Sequence, residues 1–195
     1  GGGAKGFAHI GAIKALEELQ IPVDYISGTS IGSIVGGMYA IGYRPDEMMK
    51  LINQQDWDFV LSDKMIRDQM PFFDKEEMDR YIISLPISGK KIELPSYFVE
   101  GQNIMQLLSD LTIGYHGNVD FLKFPIPFVC IATDLENGDE IVLNHGSLPQ
   151  CMRASMAVPA AVSAEIIDNK LLFDGGVTNV FPVDRVREIG ADIVI

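Results

Sequence analysis

Residues 24–37 read Asp-Tyr-Ile-Ser-Gly-Thr-Ser-Ile-Gly-Ser-Ile-Val-Gly-Gly. An apolar strand runs into a glycine-flanked serine and then into a helix of small residues. Val23 to Ser27 reads as a short buried strand, Gly28-Thr29 as a turn, and Ile31 to Tyr39 as a helix closed by Gly42. Gly28 and Gly32 let the backbone beside Ser30 take strained angles and leave room for a substrate. A strand-turn-helix corner of this kind lifts a serine hydroxyl into the open. Ser30 would stand at the N-terminus of the Ile31 helix, whose dipole favours developing negative charge. The other reading is a serine that only caps a helix. With 19 glycines in the chain, Gly-x-Ser-x-Gly alone leaves both open. Gly36 and Gly37 cost the helix about 1 kcal/mol each relative to Ala, an expense that makes sense if the helix presses closely on a neighbour.

The flanking segments have the grammar of an α/β protein. Phe7, Ile10, Ile13, Leu16 and Leu19 recur at helical spacing, opposite Lys14, Glu17 and Glu18, until Pro22 breaks the helix. Residues 44–121 differ in character. Helical stretches are expected over 46–61, 75–85 and 103–111, amid Met48, Met49, Trp57, Phe59, Met65, Met70, Phe72 and Phe73. From Pro125 strands resume at 128–132 and 140–143, followed by a helix over 148–156. A hairpin around Asp168-Asn169-Lys170 comes next, then a helix over 183–189 and a buried strand over 191–195. Strands alternating with helices imply a three-layer α/β/α fold with a largely parallel central sheet.

The 195 residues, 47% of them hydrophobic, fit one domain with a sizeable core. A net charge of −12 argues against nucleic acid, which needs clustered Lys and Arg, and against adsorption to anionic membranes. An apolar groove could still admit a lipid, because that contact does not depend on net charge. Cys130 and Cys151 read as buried small hydrophobes. His9, His116 and His145 are too widely spread for a metal site. No stretch approaches the roughly 20 apolar residues needed to span a bilayer. The chain opens inside a motif and stops on an apolar run, so it reads as a piece of a longer protein.

Gly1-Gly2-Gly3-Ala4-Lys5-Gly6 matches Gly-x-Gly-x-x-Gly, but Asp24 precedes its strand where a dinucleotide site needs an acid after it. Bare backbone N–H groups ahead of a helix serve better as a nest for an oxyanion. Lys5 would add positive potential there, or simply be solvated. Asp174-Gly175-Gly176 places a carboxylate at a strand end, by itself a common turn signal.

Gly-Gly-Gly-Ala-Lys-Gly, Gly-Thr-Ser-Ile-Gly, Arg-Ala-Ser-Met-Ala-Val-Pro-Ala and Asp-Gly-Gly, in this order, resemble the patatin-like phospholipases, and the resemblance spans essentially the whole chain. It implies a single catalytic domain over 1–195 in which Ser30 is the nucleophile and Asp174 completes a Ser–Asp dyad. Gly1, Gly2 and Gly3 would form the oxyanion hole, with Gly28, Gly32, Lys5, Arg153, Gly175 and Gly176 in support. Lys5 departs from the family's usual Arg, keeping the charge and losing bidentate contact. An ordinary aspartate, pKa about 3.9, is a weak base unless burial disfavours its charge. A triad would need a histidine, and the family pattern assigns none; His9 reads as a packed helix residue, His116 and His145 as loop and turn residues. Arg153 is expected to pair with a carboxylate near the site, and small Ala154, Ser155 and Ala157 to let their helix pack on the corner.

The resemblance implies a lipid acyl ester hydrolase of phospholipase A type, working through an acyl-serine without metal or organic cofactor. Its partners would be a lipid or other acyl ester, with membrane contact through substrate access. Residues 44–121 would form a helical cap, lid or groove wall. An acyltransferase with the same dyad, or a non-catalytic lipid-binding passenger domain, are the alternatives. Members fused to bacterial outer-membrane barrels exist, so cytoplasmic and envelope locations both stay open.

Overall fold

The computed structural model describes residues 1–64 and 98–195, together with the backbone pairing of 87–88 with 91–92. The helix expected over 75–85, and Met65, Met70, Phe72 and Phe73, lie outside the described residues.

A short 3-10 turn over Gly3–Phe7 leads into α1 (Ala8–Glu18), which turns Ile10 inward. β1 (Ile26–Thr29) and α2 (Ile31–Ala40) follow, then α3 (Pro45–Gln54) and α4 (Trp57–Val60). The pairing of β2 (Ile87–Ser88) with β3 (Lys91–Ile92) precedes α5 (Gln102–Leu111). β4 (Val119–Asp120), β5 (Phe128–Asp134), β6 (Glu140–Leu143) and β7 (His145–Gly146) come next. The chain then forms α6 (Leu148–Ser155), β8 (Glu165–Ile167), β9 (Lys170–Asp174) and α7 (Val183–Glu188).

The central sheet has the order β1-β5-β9-β8, with β6 also on β5. Helices lie on both sides, so the three-layer α/β/α arrangement stands. The sheet is mixed. Only β1 and β5 run parallel, in register from Ile26–Phe128 to Thr29–Ile131, while β6 and β9 are antiparallel to β5 and β8 is antiparallel to β9. Connection length explains the departure from a largely parallel sheet. β5 to β6 and β8 to β9 are joined by a few residues, too few for a parallel crossover. Asp168 and Asn169 turn the second hairpin at φ 50° and 60°, the paired left-handed angles that suit a tight two-residue turn. The strand expected over 191–195 is not formed; Ile193 and Ile195 are exposed, since an apolar run needs a neighbouring backbone before it becomes a strand.

β5 is buried along its whole length. Phe121, Phe128, Leu148 and Met152 fill the main core around it, with Phe121 and Phe124 stacked at 5.1 Å. Gly36 and Gly37 are explained by this packing. A Cβ on Gly36 would stand 2.8 Å from Ile26 Cγ2, and one on Gly37 would overlap Met152 Cε and lie 3.3 Å from the Phe128 ring. Cys130 and Cys151 are buried free thiols, and burial pushes the Cys151 thiol up to about 12.

Arg153 is buried and staples three segments together. Its Nη2 donates to the Glu100 carbonyl at 2.7 Å and to Ser163 Oγ at 3.0 Å, and its Nη1 donates to the Ser163 carbonyl at 3.0 Å. Gly101, at φ 80°, lies so close that a Cβ there would stand 2.6 Å from Nη2. The carboxylate partner is Glu165, 3.8 Å from Nε; burial raises the Glu165 pKa and Arg153 opposes that shift.

Arg153→Ala should lower the unfolding free energy by about 3 kcal/mol or more, because it empties the space of a buried side chain, removes its hydrogen bonds to Glu100 and Ser163 and leaves the half-buried Glu165 carboxylate unpaired; urea titration measures it. A thiol reagent should label neither cysteine in the native protein and both after unfolding, read by intact mass.

Candidate active site

The corner sits one step later than the sequence implies. Gly28 and Thr29 remain in β1, and the chain turns at Ser30 itself, at φ 58° and ψ −127°, before α2 begins at Ile31. A non-glycine residue holds such angles only where its surroundings over-determine them. The Ser30 carbonyl accepts from Ser33 N at 2.8 Å and from Ser33 Oγ at 2.6 Å. The Ser30 N–H donates to Ser155 Oγ at 3.0 Å. The flanking glycines have different jobs. A Cβ on Gly28 would collide with the Gly32 carbonyl and come within 2.8 Å of Ser33 Cα, so strand and helix meet only over bare backbone. Around Gly32 the nearest atoms to such a Cβ are 3.8 and 4.0 Å away; here the absent side chain leaves space.

Asp174 ends β9, and every polar group it carries is engaged. Its N–H donates to the Ala157 carbonyl at 2.9 Å, and its own carbonyl accepts from Thr133 Oγ1 at 3.0 Å. Oδ1 accepts from Gly176 N at 2.6 Å, and Oδ2 accepts from Ser30 Oγ at 2.8 Å. Ser30 and Asp174 are 8% and 7% exposed: sheltered, yet reachable. A Cβ on Gly175 would overlap the Ile131 carbonyl, so only glycine lets the chain leave β9 on this path. The segment beyond is tied back to β1, with Thr29 Oγ1 donating to the Asn179 carbonyl at 2.8 Å and Ser27 Oγ to the Pro182 carbonyl at 2.9 Å.

Ser30 and Gly3 line one apolar cavity of about 360 Å³. Its walls come from α2 (Ile31, Ile34, Met38), α3 (Met48, Leu51, Ile52), α4 (Trp57, Val60) and α5 (Ile104, Leu107, Leu111), with Phe7, Met156 and Val158. Hydrogen-bonding side chains among the described lining residues are few, and their donors are already used. Ser30 bonds Asp174, Gln55 Nε2 donates to the Leu51 carbonyl at 3.1 Å, and Trp57 Nε1 donates to the Ile52 carbonyl at 3.1 Å. Such a cavity offers contact to methylenes and little to a polar guest. Another cavity, about 380 Å³, is lined by Glu100, Gln102, Gln106, Ser109, Ser163 and Glu165. It is polar and holds no nucleophile beside a base.

Gly2 and Gly3 take left-handed angles, φ 113° and 55°, with open space beside each. Gly1 N lies 3.8 Å from the point a Gly32 Cβ would occupy, so the glycine loop abuts the corner. Lys5 is exposed on the following turn. His9 is exposed on α1 and is not the packed residue its neighbours imply, because Ile10 rather than His9 faces the core. Its Nε2 lies 4.0 Å from the same Gly32 point, but among the described residues neither Ser30 nor Asp174 bonds a histidine. His116 is exposed and contacts the Ser109 carbonyl at 2.8 Å; His145 lies in β7 against Asn144 Oδ1 at 2.9 Å. The bonds of Arg153 go to Glu100 and Ser163, away from Ser30. Ser155, which the sequence presents only as a small residue, bonds the Ser30 N–H, and Met156, which no spacing in the sequence singles out, lines the cavity. The motif Arg-Ala-Ser-Met-Ala carried the signal for both.

The sequence pattern of the patatin-like phospholipases matches residues 1–187. The chain belongs to that family. It is 30% identical, over its whole length, to an uncharacterised NTE family protein of Mycobacterium tuberculosis, of which it spans 46%. It is 32% identical to a patatin-like phospholipase domain-containing protein of Caenorhabditis elegans and 30% identical to lysophospholipase NTE1 of Kluyveromyces lactis, spanning 13% and 12% of them. The chain therefore spans less than half the length of these relatives. Among solved structures, VipD from Legionella pneumophila has the same fold, with a TM-score of 0.55 and 17% identity, over 90% of this chain and 44% of VipD.

Gly28→Ala should destabilise the protein by about 2 kcal/mol or more, while Gly32→Ala should change stability by less than about 1 kcal/mol. Parallel denaturant titrations test the contrast.

Proposed function

We propose that this chain is a lipid acyl hydrolase, of phospholipase A or carboxylic ester hydrolase type, in which Ser30 is the nucleophile and Asp174 the base. The observation that carries the proposal is the 2.8 Å hydrogen bond from Ser30 Oγ to Asp174 Oδ2, made by a serine that lines an apolar cavity. Family membership supports it, as does a relative named as a lysophospholipase.

Asp174 accepts the Ser30 proton as the hydroxyl oxygen attacks the ester carbonyl. The tetrahedral oxyanion is received by the Gly2 and Gly3 N–H groups, aided by the positive end of α2. The protonated Asp174 delivers its proton to the leaving alcohol, leaving an acyl ester on Ser30. Water activated at Asp174 hydrolyses that ester and restores the dyad. The cavity holds the acyl chain, since its lining rewards methylenes and its polar side chains are already bonded. The groove wall is built by α3, α4 and α5.

A fluorophosphonate probe should add its mass to Ser30 alone. Ser30→Ala and Asp174→Asn should each reduce hydrolysis of a short-chain p-nitrophenyl ester by at least about 1,000-fold in kcat with circular dichroism unchanged. Adduct on another residue, or an Asp174→Asn protein of near-normal rate whose activity is then lost in His9→Ala, would remove the dyad from this reading.

A further inference from the structure

Resting on the hydrolase reading, we infer that Ser155 is a positioning residue that holds the Ser30 peptide in its attacking orientation. β1 and β5 pair in parallel as far as Thr29 and Ile131. At the next residue the chain leaves the sheet, so the Ser30 N–H loses access to a strand partner. Ser155 Oγ takes that place, accepting the Ser30 N–H at 3.0 Å. The same hydroxyl donates its proton to the Ile131 carbonyl at 2.5 Å, which turns its lone pairs toward Ser30. Ser155 is fully buried, so no water stands ready to replace it.

The carbonyl side of Ser30 is held locally by Ser33. Among the described residues the N–H side is held only from α6, 125 residues away in sequence. Two residues further on, the Ala157 carbonyl accepts the Asp174 N–H at 2.9 Å. One short segment therefore grips both nucleophile and base, and sets their separation. Without the Ser155 hydroxyl, a Ser30 that stayed at φ 58° would have its buried N–H unpaired. Rotation of that peptide relieves both faults and swings Oγ away from Asp174.

Ser155→Ala in the whole chain should lower kcat for a short-chain p-nitrophenyl ester on the order of 100-fold, with KM changed less than about twofold and the melting temperature lowered by several degrees, as the loss of two buried hydrogen bonds requires. Ser155→Thr, which keeps the hydroxyl, should recover most of the rate. If the Ala variant does not fold, Ser155→Cys, whose thiol is a poor acceptor, is measured in its place. A kcat within about twofold of the parent, a loss confined to KM, or a folded Thr variant as slow as the Ala variant would each overturn the inference. A crystal structure of Ser155→Ala decides separately. Ser30 should leave φ near 58° and lose its contact with Asp174, and unchanged geometry would refute the positioning role. If the parent hydrolyses no ester while that geometry is lost, the hydrolase reading fails and the positioning role stands.

Discussion

Ser30 Oγ and Asp174 Oδ2 meet at 2.8 Å although 144 residues separate them, and neither side chain is free to search for the other. The distance is set by backbones. β1 delivers Ser30 against β5, β9 delivers Asp174 against the same strand, and β5 is buried along its length. Gly28 beneath the Gly32 carbonyl and Gly175 beneath the Ile131 carbonyl are the approaches that make this possible. A methyl group at Gly28 would push α2 off β1, and one at Gly175 would push the end of β9 off β5. The hydroxyls of Ser27, Thr29, Thr133 and Ser155 all bond backbone carbonyls around the corner, so the polar cost of burying these strand ends is largely cancelled.

Beside this polar knot the protein keeps an apolar hollow. Met38, Met48, Trp57 and Leu107 come from three different helices and α4, and close around a space that Ser30 opens into. The net charge of −12 does not bear on such a space, because methylene contact is indifferent to distant charge. Flexible Met side chains suit a guest with no fixed shape.

Much of the layout was legible because local chemistry decided it. Pro22 and Gly42 closed their helices where expected, Asp168-Asn169 turned its hairpin, and the glycine pair in α2 marked a tight approach to Phe128 and Met152. The errors share a cause. The direction of a strand, the fate of the apolar 191–195 run and the exposure of His9 depend on which neighbour each finds, and no single segment encodes its neighbour. A carboxylate partner for Arg153 is foreseeable from its charge, yet the Glu100 and Ser163 backbones that it bonds carry no sequence signature because every residue has a carbonyl.

By itself the sequence determined the chemical parts: a glycine-flanked serine, a carboxylate followed by two glycines, bare amides near the start and a supply of apolar helices. Their order alone marked the family. The tertiary structure decided where the corner turns, which hydroxyl grips the serine N–H, and that four helices enclose one cavity beside it. Those outcomes rest on distances between segments far apart in the chain, and such distances exist only once the sheet has assembled and its buried hydrogen bonds have been shared out.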